Sequence, residues 1–593
     1  MTTTPQTTVQ KTGRSRPTGL LLLAQALLLA ACTSTPLPPW TPGATPAAAV
    51  PATGSAAQKP PVASPGAAPV VVSAVPSPAA PYSAAVAARF PAPSVIYNTP
   101  GLQAGREVFS TQTEIQGWLQ DQAAAASRAP GVRAEVMPIG RSQSGAALEA
   151  LVLTRAPATN AAALRASGKP TVILIGQQHG NEPAGSEALL VISRELAQGL
   201  LQPLLENINV LIVPRANPDG AVRDQRVTAN GVDMNRDHLL LNTPEAQALA
   251  RLARDYNPMV VVDAHEYTVV GRYLEKFGTV QKFDALVQYA TTANLPEFLT
   301  KAAEEWYRRP LVNALKNQGL SNEWYYTTST DLADKKISMG GAQPDTGRNV
   351  YGLKNAVSLL IETRGVGIGR LHIQRRVHTH VTAISSVLAS TAQRANELAQ
   401  LRPYIDKEVG AMACKDEAVI EAAATAGRYD LLMLDPLTGA DRTVAVDWDS
   451  SLALRKIKAR ARPCGYWLSE ASSTAVDRLR LHGVQVMRLT ESGALLGDRY
   501  SETARSTGER LDVRGAIADN NSIIKIDVRL ARGLIDVPRG SYYVPLNQPL
   551  AHLVLAALEP DTQSSFFANR VLPELQSTAR VMAPPSVKFE ELP

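Results

Sequence analysis

His179 and Glu182 stand three positions apart just after the apolar run Thr171–Ile175. A second short apolar run, Met259–Val262, leads into Asp263-Ala264-His265-Glu266. A third, Val357–Ile361, leads into Glu362-Thr363-Arg364-Gly365. Two imidazoles and a carboxylate are the donor set of a hydrolytic zinc site, which keeps its fourth position for water. A further carboxylate that does not bind the metal can accept the proton of that water. Singly, each residue has an ordinary reading. His-x-x-Glu arises by chance, a lone His265 is usually a hydrogen-bonded core residue, and Glu362 could be an ion-paired strand end. What joins them is their common position, because open α/β sheets gather ligand sites outside the carboxyl ends of their strands.

The elements that must hold these residues follow from periodicity. Leu148–Thr154, Thr171–Ile175, Ile208–Val213, Met259–Asp263 and Val357–Ile361 read as strands. Thr113–Ala125, Gly185–Leu200, Pro244–Tyr256 and Val377–Leu401 read as helices, with Thr243 as N-cap and Pro244 as first helical residue of the third. Apolar strands alternating with helices predict an α/β fold, a mixed and mostly parallel sheet with helices on both faces.

Between the second and third ligand candidates lie Asn217-Pro218-Asp219-Gly220, Arg226 and Gly231-Val232-Asp233-Met234-Asn235-Arg236-Asp237. As plain loop residues they would be turn formers and solvated arginines. In their order with His179-Gly180-Asn181-Glu182, His265 and Glu362, the chain resembles the carboxypeptidase A-like zinc metallocarboxypeptidases over roughly residues 108–400. The resemblance implies one zinc ion per chain, held by His179, Glu182 and His265, with Glu362 as general base. It implies that Asn235 and Arg236 grip the terminal carboxylate of a peptide with a free C-terminus, as suits the bidentate arginine fork. Arg226 would stabilise the oxyanion, and Asp233 would orient His179 through its other ring nitrogen.

The sequence departs from that family in two places. About 82 residues separate Glu182 from His265, fewer than in digestive members, whereas the interval from His265 to Glu362 is longer. Segment 268–350 is therefore expected to add a helical or lid element. The family's carboxylate-binding tyrosine is assigned to Tyr351, with Tyr325 and Tyr326 as alternatives. Two other functions fit the same residues: a zinc deacylase or cell-wall peptide amidase on the same fold, and a non-catalytic binding lipoprotein. The complete ligand set with Glu362 argues against the last.

Composition excludes other classes only after the charge is located. The 593 residues carry a formal +6 and a pI near 9.1. Residues 1–94 hold Lys11, Arg14, Arg16, Lys59 and Arg89 and no acid, so they supply +5 of that total. The remainder is nearly neutral, and a nucleic-acid partner is not expected. Lys11, Arg14 and Arg16 precede the apolar run Gly19–Ala30, too short to span a membrane but suited to a signal peptide over 1–31. Leu29-Ala30-Ala31-Cys32 resembles a bacterial lipobox. It implies lipidation of Cys32, a membrane partner through that anchor, and a place on the periplasmic side of a bacterial envelope, at the outer membrane. Residues 32–94, rich in Pro and Ala, read as a disordered tether.

The catalytic domain is then expected over 95–401, followed by a β-rich accessory domain over 402–593. There Thr443–Trp448, Val484–Leu489 and Ser522–Leu530 alternate as strands, with a helix near Leu550–Leu558. Cys414 and Cys464, alone in this region, suit a structural disulfide. His372, His378, His380, His482 and His552 read as structural, while His238 stands near enough to the site motif to line a pocket. Nothing in the sequence specifies an oligomeric state or the preferred terminal residue.

Overall fold

An eight-stranded sheet carries the site in a computed structural model that describes residues 81–519 and 521–592. In chain order its strands are β1 Arg133–Arg141, β2 Ala147–Thr154, β3 Thr171–Gly176, β4 Asn209–Val213, β5 Val260–Thr268, β6 Ala285–Tyr289, β7 Asn322–Trp324 and β8 Val357–Val366. Their spatial order is β1-β2-β4-β3-β5-β8-β6-β7. The inner four, β4, β3, β5 and β8, run parallel. Antiparallel pairings join β1 to β2, β2 to β4 and β6 to β8. The sheet is mixed with a parallel centre, as the apolar runs predict.

Both faces of that centre are covered. Successive strand residues point to opposite sides, so Val172 and Leu174 of β3 enter one core while Ile173 and Ile175 enter another. The first core takes Ile115 and Leu119 from helix α1, Gln112–Ala126, and Leu189, Ile192 and Leu196 from helix α2, Pro183–Gln198. The second takes Leu249 and Leu252 from helix α3, Pro244–Tyr256, whose N-cap Thr243 accepts from the Ala246 amide. The helix expected over Val377–Leu401 is two helices, Ile373–Gln393 and Ala395–Ala411, interrupted at Arg394.

Segment 268–350 does more than add helices. It supplies β6 and β7 to the main sheet, and its strands Val280–Gln281, Thr327–Thr328 and Ile337–Ser338 join a five-stranded sheet. That sheet is completed by the long ribbon Glu417–Leu434 and Asp441–Ala461, so hydrogen bonding crosses the boundary expected at 401. The C-terminal region is β-rich. It adds a seven-stranded sheet, a small hairpin pairing Leu511–Asp512 with Gly515–Ala516, and a helix at Ala551–Leu558. Cys414 and Cys464 are joined as a disulfide.

The end of the expected tether belongs to the fold. Tyr82, Val86 and Phe90 are buried in a cluster with Tyr267, Tyr273 and Phe283. Cys32, the leader and the rest of the tether lie outside the described residues.

Candidate active site

Three strand ends bring the three expected ligands and Glu362 together. After β3 the chain turns through His179 to Glu182, which is the N-cap of α2. The turn is tight against the Pro218–Val222 helix: a Cβ on Gly180 would lie 2.0 Å from the Gly220 carbonyl carbon, which only glycine avoids. His265 and Glu362 are neighbours across the β5/β8 ladder, where the register pairs their Cα positions.

The donor atoms face one another. Glu182 places Oε1 2.8 Å from His179 Nδ1 and Oε2 2.8 Å from His265 Nδ1. The two Nδ1 atoms are 3.1 Å apart. Behind each ring stands a carboxylate: Asp233 Oδ1 is 3.1 Å from His179 Nε2, and Asp263 Oδ1 is 2.9 Å from His265 Nε2. Those carboxylates favour a proton on Nε2, which turns the Nδ1 lone pairs toward the shared point. Two imidazole nitrogens and a carboxylate within 4.8 Å of one another, all buried, fit zinc.

Electrostatics reinforce the set. Burial disfavours charge on Glu182, but His179 and His265 outweigh it and hold the carboxyl well below its usual range. Burial likewise opposes protonation of His265, and Asp263 and Glu182 push its pKa well up. Glu362 behaves differently. Burial and then the neighbouring Glu182 charge raise it to about 7, against the pull of His265, Arg226 and Arg514. A carboxyl poised near neutrality is suited to accept and return a proton.

The surrounding cleft, about 230 Å³, is bordered by His179, Glu182, Arg226, Asn235, Arg236 and Glu362 among others. Arg226 donates through Nε to Asp233 Oδ2 at 3.0 Å and through Nη1 to Glu182 Oε1 at 3.3 Å. Asn235 lies against the His265 ring and accepts from the Gly347 amide at 2.8 Å. Arg236 borders the cleft as expected, but its guanidinium is taken. Nε and Nη2 reach Asp512 Oδ2 at 3.1 and 2.6 Å, and Nη1 donates to the Asn235 carbonyl at 2.7 Å.

Tyr351 is a correction. It lies on the helix Gly347–Leu353 with its ring in the core beside Met234 and Val261, edge-on to His238, and does not border the cleft. Tyr325 and Tyr326, the alternatives, do border it. His238 is buried under the site, bonded to Gln178 Oε1 at 2.7 Å, and is absent from the cleft wall. Three contributors carry no sequence signal: Asp263, two positions before His265 on the same strand face, and Val513 and Arg514 from the C-terminal hairpin.

Known proteins resemble part of this chain. Residues 118–370 match the family model described as zinc carboxypeptidase. Over those residues the chain is similar to that family, and the protein is a zinc metallopeptidase. Carboxypeptidase 2 of Trichophyton rubrum is 28% identical over 415 residues, covering 69% of this chain and 75% of its own length. Carboxypeptidase D of Mus musculus is 29% identical over 221 residues, covering 30% of this chain and 16% of its own. Among solved structures, carboxypeptidase A from Helicoverpa armigera is matched at 16% identity with a TM-score of 0.37, over 51% of this chain and 78% of that one.

These relatives correct the expected location. Those that align over about three quarters of their own length are fungal carboxypeptidases of Trichophyton and Arthroderma species, which overturns the placement in a bacterial envelope on a lipid anchor. Among the described residues no helix is long and apolar enough to cross a membrane.

Proposed function

We propose that this carboxypeptidase removes residues from the free C-terminus of peptides, using one zinc ion and Glu362 as general base. The observation that carries the reading is the meeting of His179 Nδ1, His265 Nδ1 and the Glu182 carboxylate, with Glu362 registered beside His265. Zinc, when bound, supplies a Lewis acid that lowers the pKa of water and polarises a carbonyl. His179, Glu182 and His265 would hold it, and Asp233 and Asp263 would keep both rings in the binding tautomer. Glu362 takes the proton of the attacking water and returns it to the leaving nitrogen, a double role that a carboxyl near pKa 7 can serve. Arg226, anchored on Asp233, stands on the cleft wall where it can stabilise the oxyanion.

The test is Glu362→Gln. The variant should bind zinc like the parent and lose most turnover of peptide substrates, with chelator-sensitive release of terminal residues in the parent. Parent-like turnover in the variant would remove Glu362 from the mechanism.

A further inference from the structure

A cavity of about 240 Å³ lies at the opposite end of the sheet from the cleft. Pro258 and Ala356, just before β5 and β8, line it, whereas His265 and Glu362 stand toward the far ends of those strands. Arg254 of α3, Arg402 and Asp406 of the helix Ala395–Ala411, and His482 of the C-terminal region form its walls. Lys354 enters from the end of the helix Gly347–Leu353.

Lys354 is more than nine-tenths buried, and among the described residues its Nζ has neither a hydrogen-bond partner nor an ion pair. The surrounding acids are engaged or stand apart. Asp406, the one acid on the cavity wall, accepts from Arg402 Nε at 3.0 Å and from Asn355 Nδ2 at 2.8 Å. Asp255 pairs with Arg254 Nε at 2.7 Å. Asp263 lies toward the cleft end of β5, against His265. Asp477 and Glu591 line a neighbouring groove. With Arg402 balanced by Asp406 and Arg254 by Asp255, Lys354 leaves the cavity one positive charge in excess.

The donors are also in excess. His482 donates its Nε2 proton to the Leu239 carbonyl at 2.9 Å, so its Nδ1 can accept at most one of the three ammonium hydrogens. Arg254 uses only Nε within the fold, for Asp255, and both its Nη groups remain donors. A buried ammonium without an acceptor is costly, and the cost falls when an anion enters. One water occupies about 30 Å³ in the liquid, so the cavity has room for a small anion together with water.

We propose that this cavity binds a small oxyanion, of the sulfate, phosphate or carboxylate class, between Lys354 and Arg254, at a site separate from the catalytic cleft. Burial and then Arg254 bring the Lys354 pKa down to about 7. The arginines keep their charge, and burial and then Lys354 hold His482 neutral. Lys354 is therefore the lining group that changes between pH 6 and pH 9, and the ammonium is present at the lower value.

The test is calorimetric titration of the zinc-loaded full chain with sulfate, which keeps its charge over that range, at constant ionic strength. The parent should bind sulfate saturably at pH 6, and about ten- to a hundredfold more weakly at pH 9. Lys354→Met and Arg254→Gln should each lose as much at pH 6. Because Glu362 would give sulfate in the cleft a similar pH dependence, the variants and not the profile alone decide. Zinc content equal to the parent's and a cooperative melting transition establish that they are folded, and should one fail to fold, the other decides. Acetate in place of sulfate separates a carboxylate from a tetrahedral oxyanion, and binding of either that is lost with Lys354 supports the site. Binding that is equal in parent and variants would place the anion on the cleft arginines and overturn the proposal. So would no binding of either anion at pH 6, which would mean that water alone satisfies the ammonium.

Discussion

Asp512 closes on Arg236 across 276 residues of chain, with Oδ2 2.6 Å from Nη2 and 3.1 Å from Nε. The contact fastens the C-terminal hairpin to the strand-end machinery, and neighbouring bonds share the task. Arg510 Nη2 donates to the Arg236 carbonyl at 2.8 Å, and the Asp233 amide donates to the Ala518 carbonyl at 2.6 Å. Breaking a buried pair by removing one partner leaves an uncompensated charge, at a cost of about 3–5 kcal/mol where nothing else compensates. Here Asp345 and Asp233 also lie near Arg236, so Asp512→Ala should cost less, about 1–3 kcal/mol. A double-mutant cycle with Arg236→Gln in urea unfolding should return a coupling above about 1 kcal/mol. Additive losses would mean that the two residues touch without stabilising one another.

The carboxylates behind the histidines make a separate prediction. Asp263 and Asp233 do not reach the donor point themselves; in the proposed mechanism they set which nitrogen of each ring is free. Asp263→Asn and Asp233→Asn should each weaken zinc binding about 10- to 100-fold, the usual effect of losing such a partner. Competition with a chelator of known affinity measures this directly. Unchanged affinity in both would show that the ring tautomers are fixed by other contacts.

The candidate ligands and Glu362 were legible because their signals are local. Apolar runs buried on both faces mark the inner strands, and His179, His265 and Glu362 follow those runs within a few residues. Once β5 and β8 are parallel neighbours, His265 and Glu362 meet by register. Tyr351 misled because a family resemblance does not fix helix phase: on the same short helix Arg348 borders the cleft and Tyr351 enters the core. Asp512 and Arg514 had no local mark, since a hairpin rich in charge reads as solvated loop until its tertiary contact is seen. The long strands Glu417–Leu434, Asp441–Ala461 and Gly493–Gly508 were missed in most of their length for a related reason. They are largely exposed and lack the apolar alternation of a half-buried strand.

Lys354, at the end of the helix that carries Arg348, should make stability depend on pH in an unusual sense. The residue is 7% exposed and, among the described residues, Nζ has no hydrogen-bond partner. The residues around its pocket bring little negative charge: Arg254, His482, and Arg402 already paired with Asp406. Burial, aided by Arg254, lowers its pKa to about 7, so the folded protein releases this proton above about pH 7, whereas the unfolded chain keeps it to about pH 10.4. Between those values the unfolded state binds more protons, and the contribution of Lys354 to stability rises with pH. Below about pH 7 the full cost of the buried charge is present. Lys354→Met keeps much of the apolar stem and removes the charge. It should therefore stabilise the protein at pH 6 by about 2–5 kcal/mol, and the gain should shrink as pH approaches 9. Urea unfolding of parent and variant at both pH values measures the difference while cancelling the titration of groups they share. A gain that is absent at pH 6, or that stays constant to pH 9, would mean that Lys354 is neutral or finds a partner throughout.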